Sequence, residues 1–483
     1  MTNSRAKSGV GNLLTGMLLP LALSACVSKL YTPDLGGLYD ALVQSDDPYR
    51  NPVIAVPGIL GSRLVDENTG DIVWGAFGPG SVNPKTPEGA RQIALPMGEG
   101  AAFSNLSDNV RADGALDRVR ISVAGVRVQL KAYFYMLSTL GAAGYRDQTL
   151  GESGTINYGK AHYTCFQFDY DWRRDIVESA KRLHKFILEK RVYVQTETER
   201  RYGIKELDVK FDIVAHSMGG LVARYYLRYG AADLPADGSP PPLTWAGARY
   251  IQNVVMIATP NAGALDALTD LVEGRKLAPL VPTYEPAIIG TMPAAYQMLP
   301  RGRHGPLVLV DSATDAEERI DDIYDPALWE RMRWGLADPA QDPVLKKLLP
   351  EVTDAAARRR IALDHQRKAL RRAKQFATAM DIPVALPDSL SFYLMAGDAV
   401  ETEAVLTAIV DTGEIEVLRT APGDGTVLRS SALMDERIGT NSKGRLVSPI
   451  DWTQVQFLFR DHLGLTKDPT FTDNLLYFLF ERP

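Results

Sequence analysis

Asp212-Ile213-Val214-Ala215-His216-Ser217-Met218-Gly219-Gly220 is the stretch whose reading decides the fold. The run before the turn, Leu207 to Val214, alternates and is rich in Val, Ile and Phe, as a strand requires. After it, Leu221, Val222, Tyr225, Tyr226 and Tyr229 recur at helical spacing. A serine therefore sits at the tip of a strand–turn–helix. Ala215 and Gly219, two residues away on either side, are small. Small residues there let the backbone double back while the serine Oγ is pushed out at the end of the sheet. An incidental serine in a Gly-rich turn is the plainer alternative. The agreement between motif and flanking periodicity favours a nucleophile.

A serine needs a base, and the base needs an orienting acid. In a strand–turn–helix site these follow the serine as Asp or Glu and then His. The histidines are His162, His184, His216, His304, His365 and His462. The first two precede the serine, and His216 is fixed beside it. His304 and His365 fall in what reads as an insertion. That leaves His462, in Arg460-Asp461-His462-Leu463-Gly464. The acid has two candidates, Asp398 after Ala396-Gly397 and Asp424 in Gly423-Asp424-Gly425-Thr426-Val427. Both are Gly-Asp turns after apolar runs, and pattern alone leaves them open. An oxyanion needs two N–H donors. One is the backbone N–H after the nucleophile, on Met218. The other comes from a loop after an early strand, and Val53 to Ser62, an apolar strand ending in Pro57-Gly58, fits that place.

These pieces resemble the lecithin:cholesterol acyltransferase family. The matching segments are Val56-Pro57-Gly58-Ile59-Leu60-Gly61-Ser62-Arg63-Leu64, Tyr170-Asp171-Trp172-Arg173, Ala215 to Gly220, and Ala258-Thr259-Pro260-Asn261-Ala262-Gly263. They continue with Met292-Pro293 through Leu299-Pro300 and Gly423 to Val427, and end at His462. They stand in family order. The resemblance implies Ser217, Asp424 and His462 as a triad, with the Ile59 and Met218 N–H groups as the oxyanion hole. It implies a lid near the first loop, with Trp74 at the place of a lid tryptophan. Animal members pin that lid with a disulfide, but residues 74–100 here contain no cysteine. Their many Gly and Pro residues, with Trp74, Phe77 and Val82 among them, read as a mobile loop with exposed apolar side chains. In Asp171-Trp172-Arg173 the expectation is structural, with Arg173 paired to a carboxylate in the interior.

The N-terminus carries a second signal. Arg5 and Lys7 precede a mostly apolar run, Val10 to Leu23, too short to span a bilayer. It ends in Leu23-Ser24-Ala25-Cys26, which resembles the cleavage site of bacterial lipoproteins. Cleavage there would leave Cys26 to be acylated. Val27 rather than Asp follows it, and the resemblance to bacterial lipoproteins then implies the outer membrane of a bacterial envelope as destination. The other cysteine, Cys165, lies in an alternating strand and reads as core. Net charge is −6, and loss of Arg5 and Lys7 with the acid-free residues 1–25 takes it to −8. An acidic chain of this kind is not built for nucleic acid.

The remaining organisation reads as alternating strand and helix: strand 53–56, helix 128–142, strand 163–169, long helix 174–202, strand 207–214, strand 250–258. That is the pattern of a parallel sheet covered on both faces. Residues 353–380 read as one helix with a basic face, expected to be solvated rather than a headgroup surface. Strands return at 390–396, 405–410 and 414–419. The expected architecture is an α/β-hydrolase fold, a mostly parallel central sheet with a helical cap insertion and a lid loop. Its segments are a signal peptide at 1–25, a tether at 26–50, core at 51–270, cap at 271–387 and core again at 388–483. No metal-ligand cluster and no phosphate-cradling glycine loop is read, so neither cofactor nor metal is expected. The expected chemistry is serine-dependent acyl transfer on an ester lipid, most simply a phospholipid, to water or a lipid alcohol. A membrane-tethered lipid-binding protein with a vestigial site, or an esterase or amidase for non-lipid substrates, are the rivals.

Overall fold

The computed structural model describes residues 46–77, 81–116, 118–123, 126–131, 133–151, 162–277, 282–437 and 444–481. The expected signal peptide, Cys26 and most of the expected tether lie outside these residues. Six strands build the central sheet: β1 (Val53–Val56), β2 (Cys165–Gln167), β3 (Phe211–His216), β4 (Ile251–Ile257), β5 (Ser391–Gly397) and β6 (Gln454–Leu458). Their spatial order is β6-β5-β4-β3-β1-β2, and every neighbouring pair is parallel. Alternate side chains point to opposite faces. Val53 and Ala55 pack with Leu137, Phe471 and Leu475 on one face. Ile54 and Val56 join Ile176, Leu221 and Phe376 on the other. Burial on both faces is why these strands read as near-continuous apolar runs.

The helices that matter for the site are α1 (Ile176–Tyr202), α2 (Met218–Tyr229), α3 (Leu265–Glu273), α4 (Ala355–Asp381) and α5 (Pro469–Phe480). α1 starts on Asp175, whose side chain accepts from the Val177 N–H, and ends at Gly203 with φ 69°. α4 ends against α2. The buried Arg224 and Arg228 donate to the carbonyls of Met380 and Ile382, and the Tyr229 hydroxyl donates to Ala379 O at 2.7 Å. These bonds satisfy carbonyls that the last turn of α4 leaves without partners.

Several local expectations shift. Residues 126–131 form a strand, paired antiparallel with Arg118–Val123, and the helix begins only at Phe134. The period-two alternation of Val126-Arg127-Val128-Gln129-Leu130 outweighs the helical reading there. β3 runs over Phe211–His216 rather than 207–214, because Val209 N–H closes a turn onto Leu207 O. The insertion between β4 and β5 is not purely helical. Leu307–Val310 and Glu317–Arg319 combine with Val400–Ile409 and Ile415–Gly423 in a second, four-stranded sheet.

Much of the basic face of α4 is paired, while Arg360 and Arg371 stay exposed. Arg372 bridges Asp175 and Asp233, Arg359 meets Asp342, and Lys374 meets Asp322. Lys368 donates to the carbonyls of Gly98 and Ala101, and the Gly100 N–H reaches Asp364 at 2.8 Å. Arg173 pairs with Asp171 and Asp108 in the interior, and Cys165 is buried as a free cysteine.

Candidate active site

β1 leads to the edge strand β2, and the chain then returns to β3 on the other side of β1. This reversal makes the carboxyl end of β1 and β3 a topological switch point, where an α/β sheet opens a crevice. Ser217 lies there with φ 52° and ψ −128°, a conformation costly for a residue with a Cβ. The crowding that imposes it is visible at two glycines. A Cβ on Gly219 would meet the carbonyls of Val56 and Pro57, and one on Gly58 would lie 2.7 Å from the Ser217 Cβ. The β1 loop and the elbow therefore touch only because both are glycine at the contact.

Ser217 Oγ lies 3.1 Å from His462 Nε2, and His462 Nδ1 lies 2.8 Å from Asp424 Oδ2. The other oxygen, Asp424 Oδ1, accepts the N–H groups of Thr426 at 3.0 Å and Val427 at 2.7 Å. His462 N–H also donates to Asp424 O at 2.8 Å. Burial pushes the Asp424 carboxyl up. The charge and hydrogen bond of His462, with those two N–H groups, outweigh this and hold it below the ordinary carboxylate value. Asp398 makes no such contact, and its Oδ1 is buried without a partner. Ile59 faces the same space as Ser217. Met218 opens α2, so its N–H is among the four that the helix leaves unbonded.

Ser217 was expected to be exposed on its turn, but it is only 5% exposed, because it opens into a cavity of about 510 Å³ rather than onto the surface. Ile59, Leu60, Trp74, Phe77, Leu277 and Met298 give the cavity its apolar wall. Sequence reading missed its charged lining. There Asp266 on α3 has its carboxyl pushed up to about 6, chiefly by burial, and Asp270 is ion-paired with Arg275. No sequence motif marks these residues; α3, packed against residues 286–289, 293–297 and 400–409, carries them to the cavity. Tyr133 and His216 also line the cavity.

Trp74 lines the Ser217 cavity, but the exposure expected of it is not found. Trp74 is 5% exposed, and its indole N–H donates to Leu60 O at 2.8 Å. Its ring meets Phe77, Trp172 and Tyr284 edge-on, at 5.1, 5.1 and 5.5 Å. Phe77 is buried too. The following stretch includes a helix, Pro87–Ile93, capped by Thr86. Arg173 holds the carbonyls of Gln92 and Ile93, and Leu95 N–H donates to Thr291. Among the described residues, these hydrogen bonds fix the part at 86–95, which its Gly and Pro content suggested was loose. Trp74→Ala is therefore expected to cost about 3–5 kcal/mol of stability. It should reduce turnover on vesicles and on a small soluble ester alike, as thermal melts and paired assays will show. A loss confined to vesicles would return Trp74 to the lid.

Among the described residues, no group of three or more His, Cys, Asp or Glu is placed to hold a metal ion, and no helix is long and apolar enough to cross a membrane.

Residues 117–324 match the family model of lecithin:cholesterol acyltransferase. This span includes the Ser217 elbow and ends before Asp424 and His462. The family resemblance read from the sequence segments is thus met by an independent match over part of the chain. A chain in the crystal structure of the Tle4–Tli4 complex overlays with a TM-score of 0.56 at 15% identity, over 89% of this chain and 98% of that one. At that identity the likeness is one of fold, and the fold is that of the α/β-hydrolases. EstA from Clostridium botulinum (13% identity, 90% of this chain and 88% of that one, TM-score 0.31) overlays more loosely. So does lipase 1 from Pelosinus fermentans (13% identity, 90% and 100%, TM-score 0.30). No curated protein matches the chain in sequence.

Proposed function

We propose that this protein transfers acyl groups from ester lipids through an acyl-enzyme on Ser217. The observation that carries the reading is the hydrogen-bonded series Ser217–His462–Asp424 opening into an apolar cavity. His462 Nε2 takes the Ser217 proton as Oγ bonds to the ester carbonyl carbon. The carbonyl oxygen becomes an oxyanion against the N–H groups of Met218 and Ile59. As the carbon–oxygen bond to the leaving alcohol breaks, His462 returns the proton to that alcohol. Water or a lipid alcohol then repeats the sequence in reverse and carries the acyl group away. A phospholipid suits the site, since the apolar wall takes a chain while Asp266, Asp270 and Arg275 stand where polar parts would lie. The apolar lining weighs against small polar esters and amides as substrates. The complete hydrogen-bonded series weighs against a vestigial binding site. Incubation with phospholipid vesicles containing a sterol, followed by mass spectrometry, tests the proposal. Lysolipid with free fatty acid or sterol ester supports it, and an unchanged lipid mixture refutes it.

With Trp74 in the interior, contact with lipid passes to the loop that carries His462. Phe459 is 75% exposed and Leu463 is 48% exposed, and Leu463 also lines the cavity. Replacing both with Ser should lower turnover on vesicles at least tenfold more than on a soluble ester, because the cost of leaving them in water is recovered only against lipid. Equal effects would remove this loop from the interface.

Anchoring is proposed to come from an acylated Cys26, with the protein held at the outer membrane of a bacterial envelope. Leu23-Ser24-Ala25-Cys26 behind a short apolar run supports it. Two or three chains anchor stably where one does not. Cys26→Ser should move the protein to the aqueous fraction on detergent phase separation. A purified protein that retains residues 1–25 would exclude the anchor.

A further inference from the structure

Tyr133 and His216 are buried beside the proposed site, and neither takes part in the chemistry described above. They form one hydrogen-bonded chain through three separate loops. Gly58 N–H donates to the Tyr133 hydroxyl at 2.8 Å. The hydroxyl lies 3.2 Å from His216 Nδ1, and His216 Nε2 lies 3.1 Å from the carbonyl oxygen of His462. The donors can be assigned. A carbonyl only accepts, so His216 carries its proton on Nε2. Burial, with the nearby His462, pushes His216 down to about 3, so the ring is neutral and Nδ1 must accept. The Tyr133 hydroxyl, which burial keeps protonated, is therefore the donor to Nδ1. Every polar atom of the chain has one role, and none can be reversed without leaving a buried group unpaired.

The ends of this chain give it meaning. Gly58 immediately precedes Ile59, whose N–H is the proposed second oxyanion donor. Fixing the Gly58 N–H on Tyr133 fixes the orientation of the β1 loop. His462 is the proposed base, and its backbone is held on one side by Asp424 and on the other by His216. His216 itself directly precedes Ser217 on β3. We infer that Tyr133 and His216 are positioning residues, which hold the Ile59 donor and the backbone of His462 in register with Ser217. The inference rests on the acyl-transfer reading given above. A donor aimed at the oxyanion rather than at the ground-state ester acts on the transition state alone. Tyr133→Phe therefore lowers kcat and leaves KM nearly unchanged.

The test compares wild type, Tyr133→Phe, His216→Gln and His216→Leu on a soluble ester. Affinities are measured for an alkyl boronic acid, which forms a tetrahedral adduct on serine, and for a non-reactive ether lipid. Loss of a whole oxyanion donor costs about 10²–10³ in kcat. Misorientation of one is expected to cost about tenfold or more. Tyr133→Phe should lose boronate affinity by the same factor as kcat, while the ether lipid binds within twofold of wild type. His216→Gln can still donate to the His462 carbonyl and should retain more activity than His216→Leu. If Tyr133→Phe does not fold, the ranking of the two His216 variants decides. Full kcat in folded Tyr133→Phe, equal loss of ether-lipid and boronate affinity, or equal activity of Gln and Leu at 216 would each overturn the inference. Failure of the wild-type serine to react with a fluorophosphonate would instead remove the acyl-transfer reading beneath it.

Discussion

Ser217→Ala is expected to abolish ester turnover and labelling by a fluorophosphonate while leaving the fold intact. The serine Oγ has His462 as a partner and opens into the cavity, so removing it leaves no orphaned group in the packed interior. Alanine keeps the Cβ and therefore the strained backbone at φ 52°. Its melting temperature should stay within a few degrees of wild type. Catalysis through His462 and the oxyanion donors has no acyl acceptor once the hydroxyl is gone, so the residual rate should be at least several orders of magnitude lower. Activity retained near the wild-type level in the alanine variant would rule out the acyl-enzyme.

The next largest effect is expected at Asp424. Asp424→Asn should reduce kcat by something on the order of 10⁴, and Asp398→Asn by no more than a few-fold. The backbone explains the difference. The N–H groups of Thr426 and Val427 both point at Oδ1 and require an oxygen there. An asparagine must then turn its NH₂ group toward His462 Nδ1. That nitrogen is forced to accept, and the ring proton moves to Nε2, where the base needs a lone pair for Ser217. Asp398 has no bond to the imidazole to lose. Steady-state kinetics on a soluble ester at neutral pH compares the two variants directly. The reverse ranking would move the acid to the Gly397-Asp398 turn.

The sequence by itself determined the parts of the molecule whose signals are local. A period-two run, a serine between small residues and a period-3.6 run specify the elbow at residues 211–229, because strand, turn and helix there are each set by near neighbours. The long helices α1 and α4 were legible for the same reason. His462 followed from chain order once the other histidines were placed. The choice of acid was of another kind. Asp398 and Asp424 sit in similar Gly-Asp turns, and the hairpin of residues 400–423 brings the second back beside the first, where Val400 and Asp424 are bridge partners. Family resemblance favoured Asp424. Only the tertiary structure gives the direction of its carboxylate, set by the Thr426 and Val427 N–H groups. Trp74 shows the opposite failure. Its surroundings are rich in Gly and Pro, which locally mean mobility, yet Phe77, Trp172 and Tyr284 come from distant segments to bury it. Tyr133 carried no signal at all, lying 75 residues from Gly58 and 83 from His216. Burial and hydrogen-bond direction are properties of neighbours in space. A linear pattern reports them only where those neighbours are also close in sequence, as at the elbow, and not where loops from opposite ends of the chain converge on one cavity.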